Sequence, residues 1–299
     1  MRIEYGHLQS TGSALRRATG GAIAAPEAIL ATRRVLITEL CDATPLSKLA
    51  RDRLDGVHHV PPAAMAAGSS AETGGRLNSP LAARAMRASV RDLHDAFGRM
   101  VLCTDTFHAD PHPGNLLVPN NYGRAAALAA ARRAVPPPLR WLLPPAPPRL
   151  YLVDWGQCGG PTTVARRTQL AQLYLELARA DERHFSSQPA CAKRVAFALR
   201  ELGVVASAKP GRDDDVEQAE LARGMFDLTG EIELHEGVEF DNGSIDLIPR
   251  DLFLVLRVTQ MLSGLANAAE KAGSAKVGRL AHAWKPHAKR AMDCAYQYQ

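Results

Sequence analysis

The stretch His108-Ala109-Asp110-Pro111-His112-Pro113-Gly114-Asn115 decides the fold of this chain. Asp110 and Asn115 are 115 − 110 = 5 positions apart, the spacing of the H-R-D-x-x-x-x-N loop, in which the Asp is the base and the Asn binds magnesium. Further on, Asp154 opens Asp154-Trp155-Gly156-Gln157 directly after an apolar run, as the Asp of a D-F-G motif does. The order of these three residues predicts a phosphoryl-transfer site.

Each motif residue has a predicted role. Phosphoryl transfer depends mostly on positioning and on neutralising charge, and Mg²⁺ accepts a few oxygen ligands together with water and phosphate. We therefore expect Asp110 to be catalytic, and Asn115 and Asp154 to hold Mg²⁺ and the nucleotide. Gly156 is expected to let the backbone turn sharply away from the metal.

The histidines beside Asp110 allow two interpretations. Imidazole and carboxylate are common zinc ligands, so His108 and His112 could form a transition-metal site with Asp110. The favoured interpretation is structural, with a histidine before the catalytic Asp, His108, bracing the loop backbone through a ring hydrogen bond. Pro111 and Pro113 would stiffen the same loop because each fixes its own φ.

The segments around the motifs predict a mainly α-helical α+β fold. Residues 1–34 form an N-terminal remnant that is poorly ordered or transit-like, being rich in Arg and poor in acids. Residues 35–299 form the lobe, and Val35–Leu40 within it reads as a buried strand. The remaining predicted segments are the hinge strand (35–46), a low-order loop (57–80), a helix from Leu81 with Met86, Val90, Leu93, Phe97 and Met100 on one face, the catalytic loop (108–115), an insertion (119–149), the metal-binding motif (154–157) and C-terminal helices (162–299).

The insertion between the two motifs is unusual in composition. It contains eight prolines, eight alanines and no acid, so we expect a disordered insert between two short strands. The alternative is an anionic-membrane contact through its arginines and Trp141. Beyond it, Thr162 or Thr163 is expected to cap a helix that carries Leu170, Leu173, Tyr174 and Leu177 on one face. Breaks are predicted near Pro210-Gly211 and Asp241–Gly243, with Asp213–Asp215 as a cap or solvated run, and Ile248–Ala269 as the clearest helix.

The two motifs together resemble the UbiB-like atypical kinase family, also called aarF-domain-containing or activity-of-bc-one-complex kinases. The resemblance rests on FHADPHPGNLLV and LVDWGQ, and on VLITELCDATPL (35–46) as a hinge strand ending in Pro-Leu. It implies a protein-kinase-like C-terminal lobe with a few short strands at the nucleotide cleft, binding of ATP and Mg²⁺, and a link to ubiquinone or other prenyl-lipid metabolism. Glu39, Leu40 and Cys41 would be the hinge residues at the adenine ring, and the compartment would be a plastid or mitochondrion, otherwise the cytoplasm.

One departure from the family pattern bears on activity. A complete kinase has a lysine on a strand upstream of the hinge, whereas the first lysine of this chain is Lys48, after the hinge. The chain is therefore expected to be either a fragment or a non-catalytic pseudokinase or scaffold. Aminoglycoside- or choline-type small-molecule kinases, which share an H-x-D-x-x-x-x-N loop, form a third hypothesis.

The amino-acid composition limits the classes of ligand and partner that are expected. Lys and Arg number 36 against 31 Asp and Glu, a mild excess that suits a phosphate ligand or an anionic membrane. Only 5% of residues are aromatic, which argues against nucleic-acid binding. Five widely spaced cysteines favour neither a zinc site nor a disulfide framework. Arg257 and Gln260 interrupt the most apolar window, so no membrane span is expected.

Overall fold

The computed structural model describes residues 1–48, 80–142, 147–160, 163–180, 184–207, 213–227, 244–271 and 277–296. The chain divides into two compact units. The first comprises residues 1–93, 110–157 and 268–277, and the second comprises residues 94–109, 158–267 and 278–299. The predicted loop at 57–79 and the predicted breaks at 210–211 and 241–243 lie outside the described residues.

The first unit combines short helices with a small sheet. Its elements are α1 (Arg2–His7), a π-helix (Leu8–Gly12), α2 (Ser13–Ala18), β1 (Ile23–Ala24), β2 (Ala28–Ala31), β3 (Leu36–Thr38), β4 (Ala43–Pro45), β6 (Leu116–Pro119), α4 (Tyr122–Ala134), a 3₁₀ helix (Pro137–Leu142) and β7 (Leu150–Leu152). Helix α3 (Pro80–Cys103) begins in this unit and ends in the second.

The central sheet has the strand order β1-β7-β6-β4. Strand β1 pairs with β7 in parallel, and the other pairs are antiparallel. Alternate side chains of β6 and β7, including Leu116, Val118, Leu150 and Leu152, are buried, as expected for strands with one face on a core. Because β6 follows Asn115 and β7 precedes Asp154 by two residues, the sheet places the two motifs at the same end of neighbouring strands.

The structure corrects two expectations about the N-terminal part. Residues 1–34 form helices and strands in place of a poorly ordered remnant, because Leu8, Leu15 and Ile23 bury their side chains. Residues 35–40 are not a buried strand. Only Leu36–Thr38 are extended, they pair with β2 in a two-stranded sheet, and Ile37 is 45% exposed. The apolar, β-branched run is therefore part of an exposed two-stranded sheet rather than a buried strand.

Much of the Ala/Pro insertion that the structure describes, residues 119–142 and 147–149, is structured, contrary to the expectation of disorder. Helix α4 takes up thirteen of its residues, and Tyr122 and Ala125 are buried. Alanine has the highest helix propensity and the prolines stand beyond the helix end at Val135, where they cannot break it. Composition alone therefore misled the prediction, since residues 122–134 contain no proline.

The second unit is helical. Its elements are β5 (Phe107–His108), β8 (Cys158–Gly159), α5 (Val164–Leu177), a 3₁₀ helix (Phe185–Ser187), α6 (Pro189–Glu201), β9 (Val205–Ser207), α7 (Asp214–Phe226), β10 (Ser244–Leu247), α8 (Arg250–Lys271, whose last turn belongs to the first unit) and α9 (Leu280–Tyr296). Strands β5 and β8 pair antiparallel, as do β9 and β10.

Several sequence predictions for these helices are confirmed. Thr163 caps α5 by accepting a hydrogen bond from the Arg166 amide at 3.2 Å, and Asp213 caps α7. Threonine and aspartate are both favoured at the N-cap position of helices. The predicted face of α3 is buried where the structure describes its side chains, at Val90, Leu93, Phe97 and Met100. The face of α5 is buried at Leu170, Leu173, Tyr174 and Leu177.

A buried ion pair lies where α5, α7 and α9 meet. Arg279 is 4% exposed and donates from Nε to Asp227 Oδ2 at 2.8 Å. Its remaining donors reach the backbone oxygens of Ala180 (2.6 Å) and Leu177 (2.9 Å), which satisfies carbonyls at the α5 C-terminus. Asp227 also accepts from the Ala281 amide at 2.8 Å. The pair thereby joins the ends of three helices.

Helix α8 is long and apolar enough to cross a membrane, with a mean hydropathy of 1.3 over an 18-residue window. The sequence expectation of no spanning segment did not anticipate this. Of that window 56% is buried inside the protein, and a buried core helix passes the same test. The length and composition of α8 therefore fit a core helix as well as a membrane span.

His94 should make the protein sensitive to acid. This side chain of α3 is fully buried with Nε2 3.2 Å from the Leu262 carbonyl oxygen, and burial lowers its pKa to about 4. In the unfolded chain a histidine has a pKa near 6.5. The free energy of unfolding is therefore at its full value above pH 6.5 and decreases by roughly 3 kcal/mol as the pH falls towards 4. Urea unfolding at pH 7, 6, 5 and 4 measures this change.

The matched variant for this test is His94→Gln, which keeps a side-chain donor but does not titrate. We expect its free energy of unfolding to fall less between pH 6.5 and 4 than that of the parent. Identical pH profiles for the two proteins would show that His94 is not responsible.

Candidate active site

Asp110 and Asn115 are held together by the loop between them. The side chains are largely buried, with relative exposures of 9% and 7%. Asn115 Nδ2 donates to the Asp110 carbonyl oxygen at 3.1 Å, and the Asn115 amide donates to the His112 carbonyl oxygen at 2.9 Å. Since the amide nitrogen is used within the loop, Oδ1 is the Asn115 atom suited to a cation.

The loop is tied to the neighbouring motif and to the chain after β4. The Val153 amide donates to the Asn115 carbonyl oxygen at 3.0 Å, one residue before Asp154. The Ser47 amide donates to the Pro113 carbonyl oxygen, also at 3.0 Å. The predicted rigidity of the proline-containing loop thus has a second source, which is backbone hydrogen bonding to two other segments.

Asp154 has an unusual backbone. Its φ is +60°, the left-handed region, and it is the only non-glycine residue with positive φ in the part of the chain that the structure describes. Such a conformation costs on the order of 1–3 kcal/mol and is often found at functional sites. The Asp154 side chain is exposed, so its carboxylate is accessible to a ligand.

Gly156 lies with Trp155 in a turn, as predicted, although the positive φ belongs to Asp154 and not to Gly156. A Cβ at Gly156 would lie 3.3 Å from Asp154 Oδ1, closer than most Cβ contacts. The glycine therefore leaves space for the carboxylate.

Trp155 anchors the metal-binding motif. The ring is fully buried and its Nε1 donates to the Leu152 carbonyl oxygen at 2.8 Å. The Trp155 carbonyl oxygen accepts a hydrogen bond from His7 Nδ1 at 3.0 Å. Sequence reasoning missed His7, because 148 residues separate the partners and no local pattern marks the contact.

His112 braces the catalytic loop. The Gly114 amide donates to His112 Nδ1 at 2.9 Å, so Nδ1 is unprotonated and Nε2 carries the proton in the neutral ring. Nε2 lies 3.8 Å from Asp110 Oδ2, so the imidazole ring stands beside the carboxylate. A Cβ at Gly114 would be 2.6 Å from His112 Cε1, so this close approach requires glycine.

The other predicted catalytic residue, His108, lies in the second unit. It is fully buried in β5, opposite Cys158 of β8. A bracing or catalytic role for His108 remains a prediction. The ring hydrogen bond to loop backbone was predicted for His108, and His112, which follows Asp110, accepts one from the Gly114 amide.

The predicted hinge residues Glu39, Leu40 and Cys41 lie between β3 and β4, and β4 pairs with β6 of the central sheet. The Glu39 amide donates to the Glu27 carbonyl oxygen at 2.7 Å. Leu40 is 94% exposed, and burial, with a smaller effect of Glu39, raises the pKa of the Cys41 thiol to about 11. Cys41 is therefore a neutral thiol at pH 7, a suitable neighbour for an uncharged ring.

The donor set fits magnesium better than zinc. In the described residues no group of three or more His, Cys, Asp and Glu side chains could hold a metal ion, so the zinc interpretation of His108, His112 and Asp110 gains no support. Asn115 and Asp154 offer one amide and one carboxylate oxygen. Two protein ligands suffice for Mg²⁺, which keeps waters and takes phosphate oxygens.

Comparison with known proteins identifies one family that matches this chain. Residues 21–188, which are 188 − 20 = 168 of the 299 residues, match the family described as ABC1 atypical kinase-like domain. No curated protein and no solved structure gives a significant match. The matched residues include the hinge segment, the catalytic loop and the metal-binding motif.

Proposed function

This chain belongs to the ABC1 atypical kinase-like family, and from that membership we propose that it binds ATP with Mg²⁺ and acts as a phosphotransferase or ATPase. The family assignment confirms the resemblance and the kinase-like fold expected from the sequence. The observation that carries the proposal is the hydrogen-bonded connection from Asp110 through Asn115 to Val153, next to Asp154.

Asn115 and Asp154 would hold the metal, which supplies charge neutralisation at the nucleotide phosphates. The left-handed backbone of Asp154 and the space left by Gly156 support this role. Asp110 would orient the attacking hydroxyl or water and accept its proton. His112 would hold the Asp110 carboxylate through its Nε2–H.

The segment Glu39–Cys41 would contact the adenine ring through its backbone groups. The segment leads into β4, which pairs with β6 of the central sheet, and this position supports the proposal. Because the contacts would be made by the backbone, we expect substitutions such as Leu40→Val to change nucleotide affinity little.

The acceptor is proposed to be a small molecule or a lipid. Helix α5 begins at Val164, only ten residues after Asp154, so no long activation segment is present between them to dock a peptide. The family resemblance suggests a prenyl lipid of ubiquinone metabolism, and with it an organellar location in a plastid or mitochondrion. Hydrolysis of ATP without transfer is the alternative outcome.

A non-catalytic pseudokinase or scaffold is the second candidate. Such a protein would bind nucleotide weakly or not at all and would not turn it over. The match to the ABC1 family favours both candidates over an aminoglycoside- or choline-type kinase.

Nucleotide titrations test the proposal directly. The purified chain is titrated with a fluorescent ATP analogue in Mg²⁺ and in EDTA, and phosphate release is measured in parallel. We expect binding to tighten at least about tenfold in Mg²⁺, since metal-bridged phosphates add roughly 1.4 kcal/mol or more. Asn115→Ala should remove most of this gain.

Asn120→Ala is the control, because Asn120 follows the opposite end of β6 and its side chain donates to Asp42 rather than to the catalytic loop. Metal-dependent binding without phosphate release would fit a phosphotransferase that lacks its acceptor, whereas no detectable nucleotide binding would favour the pseudokinase. Equal binding in Mg²⁺ and EDTA would overturn the proposed function.

A further inference from the structure

His7 makes a long-range hydrogen bond to the metal-binding motif. Its Nδ1 lies 3.0 Å from the Trp155 carbonyl oxygen. A carbonyl oxygen only accepts, so Nδ1 must carry a proton and donate it. Within the first unit this bond joins α1 to the peptide that follows Trp155.

The helix that carries His7 has an unusual geometry. Directly after His7 the chain continues as a π-helix over Leu8–Gly12 and then as α2. π-Helical turns are rare and occur frequently at functional sites. A Cβ at Gly12 would lie 2.8 Å from Ala25 Cβ and 3.7 Å from the Trp155 ring. The π-helical turn therefore packs closely against Trp155 and β1.

Two hydrogen bonds fix different parts of Trp155. The bond from Nε1 to Leu152 holds the ring, but it leaves the orientation of the peptide between Trp155 and Gly156 undetermined. The bond from His7 fixes that peptide. With both in place, the adjacent Asp154 is kept at φ +60°, a conformation that a free chain rarely adopts.

We propose that His7 is a positioning residue that, by holding the Trp155 carbonyl, keeps the Asp154 carboxylate oriented towards a divalent cation. The inference rests on the proposed metal role of Asp154. His7 itself touches neither metal nor nucleotide. Its substitution should weaken the metal dependence of binding while leaving metal-free nucleotide binding unchanged.

The test uses His7→Leu, which removes the donor, and His7→Asn, which keeps a donor close to the position of Nδ1. Mg²⁺ is titrated at a fixed concentration of fluorescent ATP analogue. We expect His7→Leu to raise the Mg²⁺ concentration for half-maximal binding about tenfold, as for the loss of one hydrogen bond that orients a ligand. His7→Asn should recover most of the difference.

Gln9→Leu is the matched control, because Gln9 is exposed on the same helical segment and bonds only weakly to Tyr5. It should behave as the parent. A Mg²⁺ titration of His7→Leu that coincides with that of the parent would overturn the inference, and so would equal weakening by His7→Leu and His7→Asn.

Hydrogen exchange separates this inference from the proposed function. We expect His7→Leu to speed amide exchange in a peptide covering residues 154–158 and not in one covering 116–119. If the parent shows no metal-dependent binding, the proposed function fails, yet faster exchange at 154–158 would still support the positioning role. Unchanged exchange there would overturn it.

Discussion

Asp154→Asn is expected to lower Mg²⁺-dependent ATP turnover at least about 10³-fold, equivalent to about 4 kcal/mol of barrier. The substitution removes the charge that would face the metal and keeps the size of the side chain. Asparagine also tolerates positive φ, so the +60° backbone of Asp154 need not change. Asp154→Ala would confound loss of the ligand with backbone strain.

Steady-state phosphate release and the Mg²⁺ dependence of nucleotide binding measure this effect. Asp293→Asn is the control for net charge, since Asp293 is exposed on α9. Both variants should unfold in urea within about 0.5 kcal/mol of the parent. Asp154→Asn turning over ATP as fast as Asp293→Asn would contradict a metal role for Asp154.

Arg279→Met is expected to lower the free energy of unfolding by about 3–5 kcal/mol, because it leaves Asp227 as a buried charge without its partner. Asp227 has no exposed surface, and burial raises its pKa while Arg279 opposes that rise. The substitution also removes the donors to the Leu177 and Ala180 carbonyl oxygens. The ends of α5, α7 and α9 would then no longer be joined by this ion pair and its hydrogen bonds.

Urea unfolding at pH 7 measures the loss. Arg200→Met is the matched control, because Arg200 pairs with Asp214 and Asp215 on the surface, where an ion pair contributes only about 0–1 kcal/mol. The double variant Arg279→Met with Asp227→Leu should recover part of the stability, since it removes the unpaired charge. Equal losses for Arg279→Met and Arg200→Met would show that the buried pair has no special importance.

The sequence identified two motifs that the fold brings to adjoining ends of β6 and β7, while the roles of their residues stay predictions. Asp110, Asn115 and Asp154 were found from spacing because catalytic-loop chemistry requires fixed residue types at fixed separations. The helix caps at Thr163 and Asp213 were equally readable, since capping depends on residues within one turn. Each of these predictions depends only on residues that are close together in the sequence.

Features that depend on distant contacts escaped prediction. The bond from His7 to Trp155 and the ion pair of Arg279 with Asp227 join residues 148 and 52 positions apart, and no periodicity records such a partner. Composition also misjudged residues 122–134, because proline density was averaged over a segment whose helical part contains no proline.

The order of strands in the central sheet has a consequence for synthesis on the ribosome. Ile23 pairs with Leu150, so β1 emerges 150 − 23 = 127 residues before its partner. At 5–20 residues per second this delay is on the order of ten seconds. During that time the apolar residues Leu15 and Ile23, fully buried in the finished protein, have no sheet to pack on. Strand β1 can therefore take its place in the central sheet only after β7 has been made.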